Sequence, residues 1–306
     1  MTDTWLDAFT PECSTWHHNK IASTSTQLVH PDIEKIMPTK EGAQAKLEIQ
    51  QWTGYEVTPL HCLGTVAKEL KVANIYLKDE SPRFGLGSFK ALGGAYAVFK
   101  VLSHLIKEQT GIEKINSADL RNGTYEAICK NITVVTATDG NHGKSVAWGA
   151  REFGCQCKIY IHREVSKGRE QAIAKFGCEM VRISGNYDDS VRQADMDSHE
   201  NNWHVVSDTS YPGYMDVPKY VMQGYTILAS EISEQIDGVI PTHVFLPGGV
   251  GGIAAAVSAE LWRIWGKNRP KVIVVEPRAA DCLYQSALSE KPMMSHGNLE
   301  TVMACL

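Results

Sequence analysis

Lys90 lies in Ser81-Pro82-Arg83-Phe84-Gly85-Leu86-Gly87-Ser88-Phe89-Lys90-Ala91, a run that leads from a strand end into a helix. Ser88 is placed to cap that helix, which puts Lys90 in its first turn with Leu92, Ala95, Tyr96 and Phe99. A free lysine has a pKa of about 10.4, so it serves as a base near neutrality only if it is held neutral. An exposed lysine at a helix start has the same pattern, and the pattern alone does not separate the two. A second cluster, Thr136-Ala137-Thr138-Asp139-Gly140-Asn141-His142-Gly143, follows an apolar strand. It sets polar side chains at a strand's carboxyl end, where open α/β sheets bind ligands. Asp-Gly and Asn also build ordinary turns.

A third cluster is Leu246-Pro247-Gly248-Gly249-Val250-Gly251-Gly252, between a strand and a helix. Backbone N–H groups and the helix N-terminus can converge there on an anion such as a cofactor phosphate. A tight turn without a ligand is the plain alternative. A rival reading is sharper. Gly249-Val250-Gly251-Gly252-Ile253-Ala254 matches G-x-G-x-x-A, and Glu276 ends the next strand, near where a ribose-binding acid belongs, so an NAD-dependent oxidoreductase is a live alternative. Gly140-Asn141-His142-Gly143-Lys144-Ser145 ends like a P-loop, but that frame needs glycine where Thr138 stands. No metal site is expected. Cys13, His17 and His18 lack a second ligand pair at zinc spacing, and Cys155-Gln156-Cys157 reads as the start of a buried strand.

The elements that must position these clusters alternate. Short, β-branched, nearly all-apolar strands are expected at 75–78, 132–136, 157–161, 179–183, 203–206, 243–246 and 271–275, each covered on both faces. Helices are expected at 89–106, 144–153, 167–176, 217–236 and 252–265, the last showing Ile253, Val257, Leu261 and Trp265 at four-residue spacing. The alternation indicates βαβ units and parallel sheets. The first 50 residues are weakly patterned, apart from a possible helix start at Pro31-Asp32. No repeat or low-complexity linker marks a domain boundary.

The 306 residues exceed one typical domain, and 43% hydrophobic with 21% charged residues is ordinary globular usage, which excludes disordered and fibrous classes. A net charge of −5 without like-charge runs argues against nucleic acid or a membrane surface as partner. No apolar stretch approaches the ~20 residues that span a bilayer. The acidic Met1-Thr2-Asp3-Thr4-Trp5-Leu6-Asp7 has no signal pattern, and eight scattered cysteines form no disulfide framework, so a reducing cytoplasm is expected.

Together the three clusters carry a resemblance. The Ser-Phe-Lys helix start, the Asp-Gly-Asn-His-Gly turn and the Gly-Gly-Val-Gly-Gly loop occur in the order used by fold-type-II pyridoxal-phosphate enzymes, which include serine and threonine dehydratases, serine racemase and cysteine synthase. Within that group the chain most resembles the diaminopropionate ammonia-lyase family. The closer likeness rests on Gly87-Ser88-Phe89-Lys90-Ala91-Leu92-Gly93-Gly94-Ala95-Tyr96, on Asp139, and on Ser207-Asp208-Thr209 with Gly213-Tyr214. It rests further on Met222-Gln223-Gly224-Tyr225, and on Val275-Glu276-Pro277 with Cys282-Leu283-Tyr284-Gln285-Ser286.

The resemblance implies an α/β, two-lobed, tryptophan synthase β-like architecture with open, mostly parallel sheets. Residues 1–130 and 213–306 would form the large lobe, and 131–212 the small one. Pyridoxal 5′-phosphate would be held as an imine on Lys90, with Asn141 at its phenolic oxygen and Gly248, Gly249, Val250, Gly251 and Gly252 at its phosphate. The implied reaction is α,β-elimination of D- and L-2,3-diaminopropionate to pyruvate and ammonia, with Lys90 as base for the L-isomer and Asp139 for the D-isomer. The leaving amine must be protonated, and a carboxylate at 139 favours a cationic β-ammonium group. Asp208 matches a further acidic position with a catalytic role. The expected partner is a small amino-acid substrate, and the expected assembly a cytoplasmic homodimer.

Family members continue past Cys305-Leu306 with more strands and the group facing the pyridine nitrogen, so the large lobe is expected to be incomplete at its C-terminus. A serine/threonine dehydratase and a non-catalytic remnant stay open beside the ammonia-lyase.

Overall fold

A computed structural model describes residues 15–20, 22, 31–138, 140–295 and 301. The first part holds α1 (Pro31–Ile36), α2 (Thr39–Ile49), β1 (Leu60–Cys62), α3 (Gly64–Glu69), β2 (Tyr76–Lys78), α4 (Lys90–Thr110), α5 (Ser117–Arg121) and α6 (Glu126–Cys129). Next come β3 (Thr133–Ala137), α7 (Asn141–Phe153), β4 (Gln156–Ile161), α8 (Lys167–Ala174), β5 (Glu179–Arg182), α9 (Tyr187–Asn201) and β6 (His204–Val205). Then follow α10 (Asp216–Gln235), β7 (His243–Pro247), α11 (Gly252–Trp265), β8 (Lys271–Val275) and α12 (Cys282–Ser289).

Strands β5-β4-β3-β6 form one sheet in that order, every pairing parallel, and β7-β8 form a second parallel pair. Strands β1 and β2 pair antiparallel, and β1 lacks the apolar run that marks the others in the sequence. The apolar runs of β3 and β4 are covered on both faces as expected, with Val134, Val135, Ile159 and Ile161 fully buried. Strands β7 and β8 depart from that expectation. Phe245 is 66% exposed and Val275 45%, because among the described elements α11 is the one that packs closely on this two-strand sheet.

Helix α4 positions the candidate lysine. Ala91 to Phe99 are buried on every side, as a helix in the middle of a core must be. Its neighbours approach through glycines. A Cβ at Gly94 would lie 1.8 Å from Ser145 Oγ of α7, and one at Gly224 of α10 would lie 1.9 Å from Leu92 O. Helices α7 and α10 therefore clamp the turn after Lys90 from two sides. Ser88, expected to cap α4, does not. Phe89 already has helical torsions (φ −66°, ψ −15°), which leaves Ser88 one residue ahead of the cap position. Helix α7 begins three residues before its expected start, because Thr138 Oγ1 accepts the N–H groups of Gly140 (3.1 Å) and Gly143 (3.2 Å). Helix α9 has a mostly polar sequence and was not anticipated; Asn186 and Asp189 close a capping box at its start.

A buried ion cluster ties the segment before Lys90 to α10. Glu231 accepts from Arg83 through both oxygens (2.8 Å each), from Lys78 Nζ (2.6 Å) and from Tyr55 Oη (2.8 Å). Burial alone would push the Glu231 carboxyl up, but the hydrogen bonds and charge of Arg83, with the hydrogen bonds of Lys78 and Tyr55, outweigh it and hold the value below the usual one. Glu231→Gln should lower unfolding free energy by roughly 3–5 kcal/mol, the usual cost of stripping one partner from a buried pair, read as a lower urea midpoint. A depressed carboxyl stabilises fully above the ordinary carboxylate range and loses that contribution as pH falls through its folded value. The Gln variant should lack that component of acid unfolding.

Candidate active site

Lys90 opens α4, and its Nζ donates to Asp208 Oδ2 at 2.7 Å, the two side chains 22% and 17% exposed. Asp208 follows β6, so the first turn of α4 and the carboxyl end of a sheet strand meet at this pair. Burial disfavours the charge on Lys90, but Asp208 outweighs that and holds the amine above the usual lysine value. Burial would raise Asp208; the charges of Lys90 and His142 instead hold it well below the carboxylate range. His142, in the first turn of α7, donates Nε2–H to the Val206 carbonyl at 2.8 Å, which leaves Nδ1 3.7 Å from Asp208 Oδ2. Asp139 lies outside the described residues. Asn141 is the first residue of α7 and is exposed.

The glycine loop joins β7 to α11. Gly249 (φ 68°) and Gly251 (φ 91°) are in the left-handed region, which residues with a side chain enter only under strain. A Cβ at Gly248 would lie 2.3 Å from Glu276 Cγ. Helix α11 begins after Gly251 without a side-chain cap, so its first-turn N–H groups stay open to an anion. Val250 is half exposed.

Tyr225 of α10 links the loop to the lysine. A Cβ at Gly252 would be 3.9 Å from its Cε2, its ring meets Phe89 edge-on at 5.1 Å, and Lys90 Nζ is 6.0 Å from the ring centroid. Lys90, Asp208 and His142 therefore meet, and the Tyr225 ring stands between that group and the glycine loop. Tyr225 and His142 carry no spacing signal of their own in the sequence, although they stand inside Met222-Gln223-Gly224-Tyr225 and Asp139-Gly140-Asn141-His142-Gly143. A cavity of about 1000 Å³ lies elsewhere, against Tyr187, Trp203 and Tyr211, and neither Lys90 nor the glycine loop lines it.

The dinucleotide alternative loses its acid. Glu276 accepts the backbone N–H groups of Leu283 (3.1 Å) and Tyr284 (2.8 Å), so its carboxylate is committed to the start of α12. Among the described residues no group of His, Cys, Asp and Glu could hold a metal ion.

Residues 52–304 match the model of the "Pyridoxal-phosphate dependent enzyme" family. The chain belongs to that family. Its cofactor is pyridoxal phosphate, and the open, mostly parallel sheets are those of the fold-type-II architecture expected from the sequence. Over 274 residues it is 40% identical to diaminopropionate ammonia-lyase of Escherichia coli (strain K12), covering 88% of this chain and 67% of that one. The crystal structure of the holo Escherichia coli diaminopropionate ammonia lyase superposes with a TM-score of 0.81 at 36% identity, covering 91% of this chain and 68% of that one. The same enzyme in complex with D-serine gives a TM-score of 0.81 at 36% identity, covering 92% and 70%. The chain thus spans about two thirds of the length of these relatives.

The donors present suit this cofactor. A lysine amine is available for its aldehyde, and an uncapped helix N-terminus behind a side-chain-free loop is available for its phosphate.

Proposed function

We propose that this protein is a carbon–nitrogen lyase that eliminates ammonia from D- and L-2,3-diaminopropionate, the product then taking up one water to give pyruvate and a second ammonia. The observation that carries this reading is the Lys90–Asp208 pair, 2.7 Å apart, in a chain 40% identical to such a lyase. Pyridoxal phosphate, when bound, supplies an electron sink for the charge left at the substrate Cα. Lys90 Nζ, once neutral, takes the Cα proton of the L-isomer, and Asp208 stabilises the ammonium so formed. Asp139 takes the proton of the D-isomer from the opposite face. The carboxylates favour a substrate whose β-amine is cationic, and a protonated amine is the better leaving group. The N–H groups of Gly248 to Gly252 would hold the cofactor's phosphate, and Asn141 would hydrogen-bond its phenolic oxygen.

In this reading residues 131–212 form a small lobe, consistent with the four-stranded sheet lying between Thr133 and Val205, and residues 1–130 with 213–306 form the large one. The working form is a cytoplasmic homodimer. Support for the compartment comes from the six described cysteines, all unpaired.

Purified protein given pyridoxal phosphate should release pyruvate from diaminopropionate with a kcat/KM at least tenfold above that for serine or threonine. A preference for the hydroxy amino acids would replace this reading with a dehydratase.

A further inference from the structure

Tyr225 is among the largest fully buried side chains, at 1% exposure, yet its hydroxyl has no partner at full hydrogen-bond distance among the described residues, Lys90 being a group it interacts with. A buried hydroxyl without a partner is unfavourable, and phenylalanine would fill the same space without that cost. The structure nevertheless makes room for the polar end of this ring. A Cβ at Gly93, one turn after Lys90, would lie 2.4 Å from Tyr225 Cε1 and 2.7 Å from Cζ, so α4 carries no side chain where the phenol arrives. The opposite ring edge faces Gly252 at the head of α11. Phe89 packs edge-on against the ring, and Lys90 Nζ stands 6.0 Å from its centroid. The orphan hydroxyl is thus carried by a ring wedged between the lysine's own turn and the glycine loop.

We propose that Tyr225 is a positioning residue for Lys90: its hydroxyl offers Nζ a second hydrogen-bonding station, opposite the Asp208 carboxylate that holds the amine in this structure. The inference rests on the reading that Lys90 is the working amine. Two stations of unequal kind suit a group that must be gripped and then released. Asp208 holds the ammonium form as an ion pair. A phenol holds either form, accepting from an ammonium or donating to a neutral amine, and forms no ion pair that would trap it. Burial, with the negative charge of Asp208 beside it, holds the Tyr225 phenol well above its usual value, so it stays neutral across the working range.

Tyr225→Phe on the full chain isolates the hydroxyl, because the ring contacts with Phe89, Gly93 and Gly252 are kept. Three readouts apply: thermal midpoint, the pH dependence of Lys90 acylation by an amine-reactive reagent followed by peptide mass, and kcat with KM for both diaminopropionate isomers. The expected result is an unchanged or slightly raised midpoint, because an unsatisfied polar group is removed. The Lys90 acylation midpoint should fall by about half to one pH unit, the size of one net hydrogen bond to the charged form. The kcat for the L-isomer should fall about tenfold with KM within twofold, the signature of a misplaced base rather than lost binding. An unchanged acylation midpoint overturns the proposal, as does a shifted midpoint with wild-type kcat. The acylation titration needs no cofactor. Failure of the wild type to take pyridoxal phosphate on Lys90 would therefore defeat the ammonia-lyase reading, while the Tyr225 contact would still be read separately.

Discussion

Lys90→Ala should give a folded protein that releases no measurable pyruvate from either isomer of diaminopropionate and carries no pyridoxal phosphate after borohydride reduction. Lys90 is asked to do two things, hold the cofactor covalently and accept the Cα proton. Loss of a general base alone typically costs about 10²–10⁴-fold, and loss of the covalent anchor adds to that. The fold should survive, because Lys90 meets the core at its tip, through Asp208 and the rings of Phe89 and Tyr225, and both Lys90 and Asp208 keep some contact with solvent. Without the amine, Asp208 loses its nearest cation and its carboxyl should rise toward the ordinary range. Mass spectrometry of the reduced wild type should place the cofactor on the peptide containing Lys90. An adduct on another lysine, or pyruvate release from the Ala variant within tenfold of wild type, would sink the assignment.

Asp139→Asn should separate the two substrate hands. If the carboxylate faces the substrate from the side opposite Lys90, its loss removes the base for the D-isomer alone. The rate with D-2,3-diaminopropionate should fall by about 10²–10⁴-fold. The L-isomer should lose far less, and only to the extent that Asp139 also holds the β-ammonium group or feeds it a proton. Cofactor content should stay at the wild-type level, since the lysine and the glycine loop are untouched. The plain alternative is that Asp139 only shapes the turn into α7 and so misplaces Asn141. In that case both isomers would lose alike. Equal losses with full cofactor content would end the two-face assignment.

These assignments were not equally legible in the sequence. A lysine at the start of α4 and a glycine loop between β7 and α11 were, because each is a local device: a lysine at a helix start, and glycines between a strand and a helix. The βαβ alternation was legible too, since strands covered on both faces must be continuously apolar, as β3 and β4 are. Other features were not. Ser88 has the right type for a cap, but the torsions of Phe89 move the cap position past it. Glu276 has the right spacing for a ribose acid, yet its oxygens are taken by backbone N–H groups 7 and 8 residues further on. Strands β7 and β8 read as covered and are half open, because an apolar run records what a strand tolerates, not what packs on it.

By itself the sequence determined the kinds of groups available and the elements that carry them: an amine on α4, a glycine loop before α11, a polar turn before α7. Those follow from spacing along the chain, where 3.6-residue and two-residue periods and the torsions of glycine act over a few residues. Which groups meet was decided only by tertiary packing. Asp208 is 118 residues from Lys90, and Tyr225 lies further still along the chain. They converge because glycines at 93, 94 and 224 let α4 press against α7 and α10 more closely than any side chain would allow. Spacing along the chain carries no record of such a contact, because close approach depends on the shapes of both surfaces at once.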